Sequence, residues 1–184
     1  MERLAGRGVS LWLVPDGEER ALLAGLIARL SSRLGTPSFE PHVTLLPGLT
    51  RPADEVVEAS RALATAIETM VLALRPPEGR EEGFRCLYLP VGETFRLLRA
   101  HALARAAFPP AEEGPFEPHL SLVYGRLAPD RKEQLLREIP PSLPPRVELA
   151  ALEVVRTEGP VEAWRRLVHC PLSRPAVGQD RKNK

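Results

Sequence analysis

Only two cysteines, Cys86 and Cys170, occur among 184 residues, and neither belongs to a CxxC pair. That is too few for a disulfide framework or a cysteine zinc site, and it fits a reduced, intracellular setting. Charge of one sign is also missing. Twenty-five basic residues face 24 acidic ones, leaving +1 at pH 7, which argues against bulk polyanion binding. No apolar run approaches the length of a membrane span. The opening Met1-Glu2-Arg3-Leu4 is not the start of a signal peptide. The expectation is a soluble, cytoplasmic protein with no membrane partner. A glycine-rich phosphate loop and a GxGxxG turn are absent as well, which removes the usual nucleotide-binding signatures.

What the chain does have is proline, twenty residues of it. Pro15, Pro47, Pro76-Pro77, Pro109-Pro110 and Pro140-Pro141 punctuate the sequence and mark short, well-separated elements. Between them the periodicity predicts a strand over 9–14. A helix follows, capped by Asp16 with Glu19 as the second half of a capping box. It buries Leu22, Leu23, Leu26, Ile27, Leu30 and Leu34 and stops at Gly35. A strand over 42–46, a helix over 51–70 and strands over 71–74 and 84–89 come next, with 78–83 as a turn or loop. A helix over 93–107 is expected to bury Phe95, Leu98, Ala102 and Ala106. The chain closes with a strand over 119–124, a helix after Pro129, and strands over 146–156 and 163–168. This order is a strand-helix-strand-helix-strand unit used twice. It predicts an α+β protein of two pseudo-symmetric lobes around a central cleft, each with a small, mostly antiparallel sheet and flanking helices. Residues 1–170 would form this single bilobal domain, and 171–184 a polar, basic, disordered tail.

The strongest signal is a repeated heptapeptide. Phe39-Glu40-Pro41-His42-Val43-Thr44-Leu45 returns as Phe116-Glu117-Pro118-His119-Leu120-Ser121-Leu122, with five positions identical. The two differences exchange one aliphatic for another and one hydroxyl for another. Two of the four histidines lie in it. A lone His-x-Thr would carry no information; a second copy makes a two-fold site the better reading. Strand side chains alternate, so His42 and Thr44 share a face, as do His119 and Ser121. A neutral imidazole can act as general base and a protonated one as general acid. The hydroxyls of Thr44 and Ser121 can donate to phosphate oxygens. The scheme calls for no metal and no cofactor.

The flanking residues allow alternatives. Glu40 and Glu117 can orient an imidazole, bind a metal, or serve as surface caps. Phe39 and Phe116 read as core. Tyr124 lies at an odd offset from His119, so core packing is its default, unless a bulge or the strand end brings its hydroxyl to the cleft. Trp12 can stack on a base or pack in the core. Tyr124 and Trp12 are therefore candidate substrate contacts. Trp164 reads as packing, His101 as a solvated helix position, and His169 next to Cys170 as a metal suggestion that nothing nearby completes.

Pro41-His42-Val43-Thr44-Leu45 and Pro118-His119-Leu120-Ser121-Leu122 resemble the paired motifs of the 2H phosphoesterase superfamily. Ser10-Leu11-Trp12-Leu13-Val14-Pro15 and Leu122-Val123-Tyr124-Gly125 resemble its plant and fungal cyclic phosphodiesterase branch. The resemblance implies a bilobal fold. It also implies metal-independent opening of a ribose cyclic phosphate, either ADP-ribose 1″,2″-cyclic phosphate, a by-product of tRNA splicing, or nucleoside 2′,3′-cyclic phosphates. His42 and His119 would be catalytic, with His119 as base and His42 as acid by analogy, and Thr44 and Ser121 would hold the phosphate. The partner would be a small nucleotide met by a monomer. The alternatives are RNA-end processing or 2′,5′-ligase activity, with Arg75, Arg80 and Arg85 lining a groove, an idle nucleotide- or RNA-binding module, and a metal hydrolase built on Glu40, His42, Glu117 and His119.

Overall fold

A computed structural model describes residues 4–109, 114–139 and 143–175. The strands are β1 (Ala5–Gly6), β2 (Val9–Pro15), β3 (Val43–Leu49), β4 (Met70–Ala73), β5 (Glu78–Gly79), β6 (Leu87–Pro90), β7 (His119–Val123), β8 (Arg146–Arg156), β9 (Gly159–Pro160) and β10 (Arg165–Pro171). The helices are α1 (Gly17–Leu34), α2 (Ala53–Ala66), α3 (Phe95–Ala107) and α4 (Pro129–Glu138). The class is α+β, as the element order implies.

Local chemistry accounts for the main boundaries. The Asp16 carboxylate caps α1 by accepting from the Gly17 amide at 2.8 Å. Gly35 ends the helix at φ 63°, a left-handed turn that glycine enters without strain. The capping box does not form, because Glu19 reaches instead to the Glu148 amide at 2.8 Å and ties α1 to β8. Helix α3 starts at the Thr94 hydroxyl, which accepts from the Leu97 amide. It turns Leu97, Ala100 and Ala104 inward, while Phe95 is 80% exposed and Leu98 is also exposed. The expected inward face of α3 is thus corrected. Its sequence is apolar along two stripes, and packing selects the one with small residues, which lets the helix approach the sheet closely. Leu22 in α1 is likewise exposed rather than buried.

Eight of the ten described strands join in one sheet of order β10-β8-β2-β3-β7-β6-β5, with β4 added to β8, while β1 pairs with β9 in a separate two-stranded sheet. The two expected small sheets are therefore continuous. Their junction is the antiparallel pair β3–β7, registered as Val43 opposite Leu120. These two residues occupy the same position of the heptapeptide, so a pseudo-two-fold axis passes between them. The rest of the sheet follows it. Strand β2 pairs with β3 as β6 pairs with β7. Helix α1 packs on β7, and α3 reciprocally on β3. Strand β8 pairs β4 with its first residues and β2 with the remainder. The β4–β5 segment likewise leaves β8 and pairs with β6, bridged by Leu74 and Val91.

All four helices place residues in one apolar cluster with Leu11, Leu13, Val43, Leu45, Leu120 and Leu122. The other face of the sheet carries a smaller cluster of Trp12, Val14, Ala151 and Val155, with Trp164 against it. The alternation of β2, odd residues to the helices and even residues away, separates the two. Strand β10 runs on to Pro171, Leu172 is buried, and Ser173 hydrogen-bonds Ile67. Ordered pairing thus passes residue 170, where the tail was expected to begin; residues 176–184 of that tail lie outside the described residues.

Candidate active site

Both histidines are set by the same backbone device. His42 Nδ1 lies 2.6 Å from the Glu40 carbonyl oxygen, and His119 Nδ1 lies 2.8 Å from the Glu117 carbonyl oxygen. A carbonyl can only accept, so each Nδ1 carries the hydrogen and each Nε2 is left free to exchange a proton. In both copies the residue supplying the carbonyl precedes a proline, which restricts it to extended backbone and aims that oxygen. The glutamates of the repeat therefore act through their main chain. Their carboxylates turn away: Glu40 to Arg20 at 2.8 Å, and Glu117 to Arg80 and Arg85. They do not converge with the imidazoles as a metal-ligand set, and no such group occurs among the described residues.

The environments then diverge. His42 is buried and lies flat on Trp12, with ring centroids 3.6 Å apart and planes 7° apart. Phe39 meets it edge-on. Burial, aided by the nearby His119, pushes its pKa down to about 4 against the pull of the Glu40 carbonyl and the Glu153 carboxylate. His119 is half-buried and meets Tyr88 edge-on at 5.4 Å. Burial lowers its pKa too, helped by Arg85 and Arg80.

Tyr124 reaches the site. Its hydroxyl is 3.3 Å from His42 Nε2, and since that nitrogen is the acceptor in the neutral ring, the phenol donates. Burial raises its pKa and keeps it a phenol. Its odd offset is resolved by a bulge. Leu87 faces Val123 while Tyr88 faces Ser121, so Leu122 is an extra residue on β7. Leu122 and Val123 both enter the core, and the alternation shifts by one, sending Tyr124 to the face of His119 and Ser121. The same bulge occurs at Leu45, between the pairs Leu11–Leu46 and Trp12–Thr44. There the residue equivalent to Tyr124 is Pro47, so only one half supplies a phenol.

The hydroxyls are placed unequally. Ser121 is buried and donates to the Phe84 carbonyl at 2.9 Å. Thr44 is half-exposed, with no hydrogen bond from its hydroxyl among the described residues. Trp12 is across the strand from Thr44, and Tyr88 across from Ser121. Trp12 both packs and stacks, with His42 on one ring face. Trp164 packs near Trp12, Phe84 and Tyr124. Beyond Tyr124, away from the imidazoles, Thr36, Pro37, Gly125, Ala163 and Arg165 help line an open pocket of about 620 Å³. His101 does not face solvent freely; it stacks on Phe116 at 3.9 Å. His169 donates from Nδ1 to Glu153 at 2.9 Å rather than pairing with Cys170.

Sequence reading missed Glu153 and Arg20. The signal was present: Glu153 is a lone charge inside the apolar run Leu149–Val155. A charge in such a strand must find buried partners.

Residues 7–172 match the model of the cyclic phosphodiesterase-like protein family. A cyclic phosphodiesterase of Arabidopsis thaliana is 26% identical over 133 residues, which cover 72% of this chain and 74% of that protein. A crystal structure from Thermus thermophilus superposes with a TM-score of 0.60 at 22% identity, covering 92% of this chain and all of the other. Escherichia coli LigT in its apo form gives 0.58 at 14% identity, covering 93% of this chain and all of LigT. The same LigT has been solved with 3′-AMP. No described helix is long and apolar enough to cross a membrane. With two imidazoles on a two-fold strand pair and the match running through both motifs, this chain belongs to the cyclic phosphodiesterase-like family and is a phosphodiesterase of the 2H type.

Proposed function

We propose that the protein opens a ribose cyclic phosphate by adding water, with ADP-ribose 1″,2″-cyclic phosphate and nucleoside 2′,3′-cyclic phosphates as the substrate class. The observation that carries this reading is the matched pair of imidazoles. Each has Nδ1–H held by a carbonyl two residues back, and each leaves Nε2 for proton transfer.

His42 is neutral at ordinary pH, so it serves as the base. Its Nε2 takes a proton from the water that attacks phosphorus. His119, in its protonated form, gives a proton from Nε2 to the departing ribose oxygen. One P–O bond forms to water and one P–O bond of the ring breaks, leaving a phosphomonoester and a free hydroxyl. This reverses the assignment by analogy, because the deeper, drier ring is the poorer proton carrier in the free enzyme. Thr44 donates to one non-bridging oxygen, and Ser121 to another after releasing the Phe84 carbonyl. Tyr124 holds the lone-pair side of His42 until water replaces it. The anionic ring phosphate raises both imidazole pKa values on binding, which readies His119 as the acid.

A polynucleotide substrate has less support. Arg80 and Arg85, two of the three arginines suggested to line a groove, are engaged by Glu117 and Glu82.

The deciding test is product analysis after incubation with both cyclic phosphate types. His42→Ala and His119→Ala should each lose about 10²–10⁴-fold in kcat with an unchanged circular dichroism spectrum. Full turnover by either variant overturns the assignment. Turnover of oligonucleotide ends alone overturns the substrate class. The free-enzyme profile of kcat/KM should be bell-shaped. It rises through about pH 4 as His42 becomes neutral and falls below the ordinary histidine value of 6.5 as His119 loses its proton.

A further inference from the structure

Glu153 has no part in the proton transfers above, yet it is only 1% exposed. Three donors meet its Oε1: Arg20 Nη1 at 3.1 Å, Arg166 Nη1 at 3.1 Å and His169 Nδ1 at 2.9 Å. Burial pushes its carboxyl up, but His169, Arg20 and Arg166 together outweigh burial and hold it ionised, below the ordinary carboxylate value. Two routes run from this carboxylate to the His42 ring. The first is hydrogen-bonded. Arg20 continues from Glu153 to the Glu40 carboxylate, with Nη2 at 2.8 Å and Nε at 3.2 Å from Oε2. The Glu40 carbonyl in turn accepts from His42 Nδ1. The second route is strand register. Glu153 on β8 lies opposite Trp12 on β2, and Trp12 is the ring on which His42 lies flat.

Among the described residues the other half has no such device. By register, the counterpart of Glu153 is Glu78, which lies opposite Tyr88. Glu78 is exposed and accepts from the Tyr88 hydroxyl at 2.9 Å. The carboxylate of Glu117, counterpart of Glu40, ends on Arg80 and Arg85 with no buried acid behind them. The clamp therefore belongs to His42 alone.

We propose that Glu153 is a positioning residue for His42, fixing its edge through Arg20 and Glu40 and its face through Trp12. Glu153 does not touch the reacting atoms. Arg20 shares the role as the bridging cation. Arg166 and His169, both from β10, keep the carboxylate ionised. This role rests on the reading of His42 as the base, but the placement of its ring can be tested without turnover.

Glu153→Gln removes the charge and keeps the shape. It should lower kcat at least about tenfold, as small misplacements of a catalytic group do, with KM within about twofold. The acid limb of kcat/KM should move to lower pH, because the nearby negative charge that favours the His42 imidazolium is gone. Ring nitrogen-15 NMR of the substrate-free protein should show His42 titrating lower and its fixed Nδ1–H form loosened. Glu153→Asp should recover part of each effect. Arg20→Gln, at a side chain 19% exposed, should reproduce the loosening and the kcat loss, and decides the matter if Glu153→Gln does not fold. Wild-type kcat, acid limb and His42 nitrogen shifts in the folded variants overturn the proposal. If the wild-type protein opens no cyclic phosphate, the functional reading fails, while the His42 shifts in the variants still decide the role of Glu153.

Discussion

His42 and His119 come from one repeated peptide and hang from the same kind of carbonyl, but they stand in different surroundings. His42 is buried on Trp12, touched by Tyr124 and backed by Arg20 and Glu153. His119 is half-buried beside Tyr88, with Arg80 and Arg85 near it. The shared part, Nδ1 to a carbonyl, fixes the tautomer and leaves Nε2 as the nitrogen that can exchange a proton. The unshared part, burial and charge, sets how far each ring's proton affinity is lowered. Geometry is thus duplicated and proton affinity is not.

The sharpest break in this comparison is a substrate analogue with sulfur as the leaving atom, which departs as a thiolate without a donated proton. It should restore His119→Ala by about 10²-fold or more, the share a general acid supplies, and leave His42→Ala inactive. Rescue of His42→Ala instead would exchange the two roles.

Acid stability should also separate the halves. His42 titrates near 6.5 when unfolded and at about 4 when folded. The folded state therefore favours its neutral form. That stabilisation is complete above pH 6.5 and is lost as pH falls through about 4, at up to about 1.4 kcal/mol per pH unit. Urea midpoints measured across this window should fall with acid, and His42→Asn should flatten the slope more than His119→Asn does.

A smaller effect is expected at the one-sided phenol. Tyr124→Phe removes a hydrogen bond of the substrate-free protein that contributes about 0.5–1.5 kcal/mol, so its stability should fall by about that amount while kcat, set after water has replaced the phenol, is little lowered. Measured alongside it, Pro47→Ala at the equivalent position should leave kcat unchanged. Smallest is Arg85→Gln. Losing this cation, which lowers the His119 pKa, should move the basic limb of kcat/KM upward, with stability within about 0.5 kcal/mol of wild type. A limb that moves down would remove Arg85 from the account of His119.

Much of this was legible in the chain. The heptapeptide located both histidines and both hydroxyls, and proline spacing located most elements. Strand β8, apolar over Leu149–Val155 apart from Glu153, appears over the residues expected. What failed had physical causes. Helix α3 offers two apolar stripes, and only packing against β3 chooses between them. For Tyr124 the default of core packing gave way to the named alternative, a bulge, because nothing within β7 marks the change of parity. The lone charge of Glu153 in an apolar strand signals a need for buried partners, but Arg20 is far away in sequence and nothing local names it as one of them. The cross-strand partners Trp12 and Tyr88 share a role, but they are different residues, so the repeat is invisible there.

The register of Val43 opposite Leu120 has a further consequence. Equivalent residues facing each other across an antiparallel pair form the self-complementary contact by which two identical subunits would meet. In a true homodimer both imidazoles would share every neighbour, and hence a single proton affinity. One chain carrying both halves lifts that constraint. A tryptophan and a buried acid can accumulate beside one ring, and arginines beside the other, without either change being copied across the axis. The proposed division of labour between acid and base is thus one that covalent fusion itself makes available.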